Sequence, residues 1–343
     1  MRLTGSGEWA GSICRVTFRI GVLGAARIAP TALIKPARNL PEVEVAAVAA
    51  RDHERAAKFA AKHGIPTVYG SYDELIADDS LDAIYNPLPN GLHGRWTIAA
   101  VRAGRHVLCE KPFTANADEA RAVAEVVRPS GKVVMEAFHY RYHPMIERVL
   151  EIVASGELGE IRHVETWMCI PLLLPGDIRW NLGLAGGTLM DVGCYALHQL
   201  RTIAGAEPEV VSATARLKAP GMDRFVDARM RFADGRTGGI TVSMASRRLL
   251  SLGARVEGSA GTMDIRNLTG PQFFHSIRVR RGKEKRVEHV TKEPTYNFQL
   301  RAFAGAVLRD EKFPTGLDDS IANMEAIDAC YRAAGLEPRQ PTG

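Results

Sequence analysis

The chain has 343 residues, 46% of them hydrophobic and 24% charged, with a formal net charge of +5. This is the make-up of an ordinary globular protein large enough for two domains, which excludes fibrous and disordered classes. Its basic excess is small and scattered, so no nucleic-acid partner is expected. The densest patch, Arg278 to Arg286, is broken by Val, Gly and Glu and reads as a solvated hairpin.

Residues 1–16 contain Gly and Ser without an apolar core of signal-peptide length and read as a flexible lead-in. Short apolar runs then alternate with amphipathic stretches. The runs are Ile20–Leu23, Val43–Ala49, Ala83–Tyr85, His106–Cys109 and Val133–Met135. The stretches include Glu54–His63, His93–Ala103 and Ala117–Val127, and Gly64, Gly104 and Gly131 stand at expected helix ends. The alternation predicts βαβ units and a doubly wound parallel sheet over residues 17–138. After Tyr142 the character changes. A helix from Pro144 to Ala154 precedes alternating runs at Ile161–Met168, Val210–Leu217, Val226–Phe232, Gly239–Ala245, Ala254–Glu257 and Ile277–Arg281. These predict a large, mostly antiparallel open sheet, so residues 139–343 read as an α+β domain that binds substrate. Helices are expected at Thr188–Ala204, Asn297–Leu308 and Ser320–Ala334. The most apolar run, Trp167 to Leu174, contains Pro171 and is too short to cross a bilayer, so no membrane partner is expected. Five cysteines, Cys14, Cys109, Cys169, Cys194 and Cys330, lack metal-type spacing. They suit a reducing cytoplasm with no disulfide framework, and no metal is expected.

The turn Gly24-Ala25-Ala26-Arg27-Ile28 follows the first strand where a GxGxxG fingerprint would lie, with only its first glycine kept. Small residues there let a backbone approach pyrophosphate, so Gly24, Ala25, Ala26, Arg27 and Ile28 are candidate cofactor residues. At the end of the second strand Ala50 replaces the carboxylate that would hold a ribose, and Arg51 follows. This predicts NADP, with NAD as the alternative. In the loop after Ala83–Tyr85, Pro87, Asn90 and His93 are candidates to wall the nicotinamide.

Lys111 ends the next strand in Cys109-Glu110-Lys111-Pro112, where its ammonium can stabilise a developing alkoxide and Glu110 can orient it. Asp191 and Tyr195 stand at i and i+4 of a predicted helix and share one face. Tyr195 is a candidate general acid/base, its proton affinity expected to fall beside Lys111.

The turn Gly24–Ala29, the Glu110-Lys111-Pro112 motif and Gly187 through Tyr195 resemble the Gfo/Idh/MocA oxidoreductase family. The likeness runs from Phe18 to Gly335. It implies a Rossmann domain, a C-terminal sheet that forms homodimers or homotetramers, and a lysine acting with a second residue. Inositol-dehydrogenase-like members carry a histidine there, with an aspartate after it. This chain has Tyr195 and His198 instead, so it resembles the tyrosine-bearing branch of glucose-fructose oxidoreductase, D-xylose dehydrogenase and dihydrodiol dehydrogenase.

The reading is an NADP-preferring oxidoreductase acting on a CH–OH/C=O carbon of a sugar, polyol or cyclic diol. Arg141, His143, Arg179, Trp180, Asn181 and Asp191 are candidate substrate residues. Two alternatives stand beside it: a non-catalytic dinucleotide-binding regulatory protein, and an enzyme that recycles a tightly held cofactor within each turnover.

Overall fold

The computed structural model of the chain describes residues 17–172, 174, 176–246 and 250–343. The lead-in at 1–16 lies outside the described residues. Its first half is built on β1 (Phe18–Leu23), β2 (Val43–Ala49), β3 (Thr67–Tyr69), β4 (Ala83–Asn86), β5 (His106–Cys109) and β6 (Val134–Glu136). They form one parallel sheet in the order β3-β2-β1-β4-β5-β6. Helices α1 (Lys35–Arg38), α2 (His53–His63), α3 (Tyr72–Ala77), α4 (His93–Arg102) and α5 (Ala117–Val127) connect the strands. The central strands are buried on both faces, which is why they read as unbroken apolar runs. The order reverses between β1 and β4. Ligands of such sheets gather at that switch point, beyond the strands' carboxyl ends.

After α6 (Pro144–Ala154) come β7 (Ile161–Cys169), α7 (Cys194–Ala204), β8 (Glu209–Ala219), β9 (Met222–Arg231) and β10 (Thr237–Ser243). They are followed by β11 (Ser251–Gly258), β12 (Thr262–Arg266), β13 (Ser276–Arg281), β14 (Glu284–Glu288), α8 (Thr295–Arg309) and α9 (Leu317–Ala333). The eight strands form a second sheet in the order β14-β13-β12-β11-β7-β10-β9-β8. The expected antiparallel pairing has one exception. β7 and β10 run parallel, because β8 and β9 intervene in sequence and return the chain to the β7 edge in the same direction.

α7 packs against β7 and β10, and α9 against β8, on one face of this sheet. One apolar core runs from Leu23, Trp96 and Phe113 through Phe138 and Tyr195 to Ile240 and Tyr331, continuous across both halves. A second lies on the other face of the first sheet, where Phe18, Ile20 and Leu33 meet Leu300 and Phe303 of α8. The Phe18 and Phe303 rings stand 5.6 Å apart. Residues from late in the chain thus complete the first sheet's packing.

Candidate active site

A cavity of about 670 Å³ opens at the switch point, between the carboxyl ends of the first sheet and the start of α7. Its cofactor-side floor is the turn after β1. Gly24 has φ of +84°, a left-handed backbone that disfavours a side chain, and its amide donates to Ala49 O at 2.6 Å. Gly24, Ala25, Ala26, Arg27 and Ile28 all line the cavity, together with Ala50 and Arg51.

Sequence reasoning missed two neighbours at this end, Arg55 and Tyr72. Arg55 lies one helical turn beyond Arg51. Its side chain donates to Ala25 O at 2.9 Å, and its amide donates to Asp52 Oδ1 at 3.1 Å, so Asp52 caps α2. The carboxylate nearest the ribose position is therefore engaged, while two guanidinium groups face the cavity.

At the opposite end Lys111 completes the turn after β5, and its peptide bond to Pro112 is cis. Its Nζ donates to Asp191 O at 3.0 Å and Asp191 Oδ1 at 3.2 Å, and lies 5.0 Å from the centre of the Tyr195 ring. Burial works against the Lys111 ammonium, but Asp191, Cys194 and Glu110 outweigh it and hold its proton affinity above the usual lysine value. Burial likewise opposes the Asp191 carboxylate, and Lys111 and Arg179 overcome that opposition, keeping it below the usual range. Glu110 accepts from the Tyr85 hydroxyl at 2.8 Å and stands beside Lys111, although burial keeps its proton affinity raised.

The expected helix from Thr188 begins instead as a π-helical turn, Leu189–Gly193, and becomes α-helical at Cys194. Asp191 and Tyr195 still both reach the cavity. Tyr195 is 5% exposed, its ring edge-on to Phe138 at 5.3 Å and to His139 at 5.7 Å. The sequence predicted a lowered Tyr195 proton affinity. The structure reverses the sign: burial holds the phenol well above its ordinary value, reinforced by Tyr296 and Glu110. The Tyr195 phenol therefore keeps its proton at physiological pH.

Arg179 Nε pairs with Asp191 Oδ2 at 3.0 Å, and Arg179 Nη1 with Asp177 Oδ1 at 3.2 Å. Asp177 Oδ2 in turn meets Arg27 Nη2 at 2.9 Å. Charges of alternating sign thus run from the β1 turn across the cleft to Lys111. Met168, Ile170 and Ile178 supply an apolar wall that the sequence reading did not name, and Tyr296 joins from the start of α8.

The remaining candidates divide. Pro87, Asn90 and His93 line the cavity, and Asn90 Nδ2 donates across the cleft to Ala185 O at 3.1 Å. The His93 ring is fixed between Leu88 O and Pro112 O, each at 2.7 Å, and burial lowers its proton affinity to about 4 despite those two carbonyls. It braces two cavity loops.

Arg141, His143, Trp180 and Asn181 do not line the cavity. His143 is fully buried, caps α6 through Met145 N at 3.1 Å and packs against Phe298. Arg141 stands half-buried on a turn that buries His139 and Tyr140. Trp180 lies under the Lys218 ammonium at 4.2 Å, and Asn181 caps a short turn by accepting from Gly183 N at 2.9 Å. Among the described residues, no group of three or more His, Cys, Asp or Glu side chains is arranged to hold a metal ion.

A doubly wound sheet whose switch-point turn faces a lysine and a tyrosine across one cavity defines an oxidoreductase of the nicotinamide-dinucleotide class. The chain belongs to the Gfo/Idh/MocA oxidoreductase family: residues 18–138 match its NAD-binding Rossmann fold and residues 146–264 its C-terminal domain. It is 40% identical over 319 residues to D-xylose 1-dehydrogenase (NADP(+)) 2 of Haloferax volcanii, covering 92% of this chain and 96% of that protein. Among solved structures, the 3-ketoreductase KijD10 of Actinomadura kijaniata in complex with NADP and TDP-benzene superposes with a TM-score of 0.86 at 30% identity. That match covers 91% of this chain and 96% of the other. The aldose-aldose oxidoreductase of Caulobacter crescentus, complexed with glycerol, gives a TM-score of 0.84 at 26% identity, with coverage of 93% and 98%.

Proposed function

We propose that the protein is an NADP-preferring dehydrogenase of neutral aldoses or polyols, with Lys111 and Tyr195 as its catalytic pair. The observation that carries this reading is the meeting of Lys111, Asp191 and Tyr195 at the carboxyl end of β5. In two solved variants of KijD10 a lysine and a tyrosine were replaced, and those positions are separated in sequence as Lys111 and Tyr195 are.

The cavity suits a dinucleotide: a close-approach turn at Gly24–Ile28, and Arg51 with Arg55 at the adenosine end for a 2′-phosphate. When bound, that group supplies the hydride acceptor or donor. Lys111 holds the substrate oxygen and stabilises its developing negative charge. Tyr195 gives its proton to that oxygen in reduction; in oxidation the phenol first releases its own proton to solvent and the phenolate then takes the substrate hydroxyl's proton. Asp191 orients Lys111 and accepts a neighbouring hydroxyl.

The substrate class follows from charge. Among the described residues at this end, Lys111, Arg179 and Arg27 are each already paired with a carboxylate. An anionic substrate would have to displace those partners, whereas an uncharged polyhydroxylated one lies along them with its carbon face on Met168, Ile170 and Ile178.

A second reading is favoured by the likeness to an aldose-aldose oxidoreductase: a retained cofactor recycled between two sugars. Incubating the protein with aldoses and free NADP separates them. Net formation of reduced nicotinamide supports the dehydrogenase. Paired oxidation and reduction of two sugars without it supports recycling, and neither outcome refutes both.

We place the protein in the cytoplasm, where free thiols such as Cys109, Cys194 and Cys330 persist. A second copy is proposed to cover the open face of the large sheet. Among the described residues, no helix is long and apolar enough to cross a membrane.

A further inference from the structure

Residues 339–342 do not line the cavity, yet they hold both of its walls. Arg339 is 5% exposed. Its Nε donates to Gly186 O at 2.7 Å, its Nη2 to Asp223 Oδ1 at 2.5 Å, and its guanidinium lies over the Tyr331 ring at 4.3 Å. Arg339 O accepts from Asn116 Nδ2 at 2.7 Å, which ties the segment to the start of α5. Thr342 N donates to Gly91 O and Thr342 Oγ1 to Gly183 O, each at 2.7 Å. Gly91 belongs to the loop between β4 and α4; Gly183 and Gly186 belong to the loop entering the helix of Asp191 and Tyr195.

Asp223 makes this more than a tether. It is fully buried on β9, and its Oδ2 accepts from Leu189 N at 2.7 Å, the first residue of the π-helical turn that carries Asp191. Its Oδ1 takes Arg339 and the Tyr331 hydroxyl. Gly187 has φ of +136°, and a Cβ there would meet Asp223 Oδ1 at 2.2 Å and Arg339 Nη2 at 2.8 Å. The backbone entering the catalytic helix is thus moulded directly onto the Arg339–Asp223 pair. A buried carboxylate with an open arginine beside it is an unstable anchor; the fork fills both requirements at once, binding Asp223 with one nitrogen and the Gly186 carbonyl with another.

We propose that Arg339 is a positioning residue for the reaction: through Asp223 and Gly186 it fixes the start of the catalytic helix, and so the placement of Tyr195 and Asp191 against Lys111. The proposal rests on the reading of Tyr195 as the proton-exchanging group. Lysine at 339 would keep the charge for Asp223 but could not also hold Gly186 O in a planar fork.

The test compares Arg339→Lys and Tyr195→Phe, singly and combined, in the full chain. kcat is expressed per site counted by NADPH fluorescence titration, with thermal midpoints measured alongside. Arg339→Lys should lower kcat at least about tenfold while NADPH affinity is unchanged. In the Tyr195→Phe background the same change should cost clearly less, because one of the two groups it aligns is already gone. An unchanged kcat, or the same loss in both backgrounds, overturns the proposal. Should Arg339→Lys fail to fold, Arg339→Gln with Asp223→Asn removes both buried charges together and carries the same comparison. Full activity in Tyr195→Phe alone overturns the reading of Tyr195 and this proposal with it. An impaired Tyr195→Phe beside a fully active Arg339→Lys overturns this proposal only.

Discussion

The Lys111 ammonium bonds both the backbone oxygen and the carboxylate of Asp191, at 3.0 and 3.2 Å, which pins its charge beside the face of Tyr195. One group ends a strand of the first sheet; the other begins a helix packed on the second. The shared core places them opposite each other. Replacing Lys111 by Met removes the charge proposed to meet a developing oxyanion. kcat is expected to fall by about 100-fold or more, the scale of losing one such donor. Steady-state kinetics with equilibrium NADPH titration checks that binding survives.

Asp191 serves two cations, Lys111 and Arg179, so Asp191→Asn should destabilise as well as slow the enzyme. Breaking a buried pair by removing one partner costs about 3 kcal/mol. The folded carboxyl lies below its unfolded value, so its contribution is present above the unfolded carboxylate pKa and is lost as pH falls through the folded one. Lys111 lies above its unfolded value, so its share is present below the unfolded lysine pKa and is lost as pH rises through the folded one. The stability gap between wild type and Asp191→Asn should therefore be widest near neutrality and narrow in acid. Denaturant midpoints across pH measure it, and a gap independent of pH would count against the pairing.

Arg51 and Arg55 both line the cavity at the end proposed for the adenosine, with Asp52 engaged as a helix cap. Arg51→Ala is expected to weaken NADP by about tenfold or more, the loss of a charge-assisted bond, with much less effect on NAD. Parallel titrations with the two dinucleotides decide it, and equal losses would remove the assignment of a 2′-phosphate contact.

Glu136, at the end of β6, is 1% exposed and neither carboxyl oxygen has a well-formed hydrogen bond. Burial raises its proton affinity to about 8, so the folded protein holds a proton at neutral pH that the unfolded chain releases. Stability should then fall as pH rises from the unfolded glutamate value, near 4, toward 8, by up to a few kcal/mol. Glu136→Gln should flatten that slope. Thermal or denaturant midpoints at acid and mildly alkaline pH test it, and an unchanged slope would contradict it.

The sheet that carries the cofactor turn was legible because its buried strands are continuous apolar runs with helices between them. β3 and α3 were not: Thr67–Tyr69 is three half-buried residues without a periodic signal. β14 was hidden for another reason. Its residues are almost all exposed and charged, so it has no apolar pattern of its own, although the hairpin read at Arg278–Arg286 is the β13–β14 hairpin. The parallel β7–β10 pair depends on contacts between strands far apart in sequence, which no local pattern encodes.

The same division holds at the site. Lys111, Asp191 and Tyr195 were readable because strand ends and helix starts are where a doubly wound sheet collects chemistry. Met168, Ile170, Tyr72 and Tyr296 reach the cavity only through tertiary packing. His143 and Asn181 looked like substrate ligands but cap local structure, a role their residue types also favour. The raised proton affinity of Tyr195 could not be foreseen, since it comes from burial that spacing does not report.

The account's central claim is that Lys111 and Tyr195 act as one unit on the substrate oxygen. Single-turnover reduction of NADP by an oxidisable aldose, followed in wild type, Lys111→Met, Tyr195→Phe and the double variant, tests it most directly. The account predicts that each single variant loses nearly as much rate as the double, as members of a cooperating pair do. A single variant reducing NADP at the wild-type rate, or losses that simply multiply in the double, would contradict it.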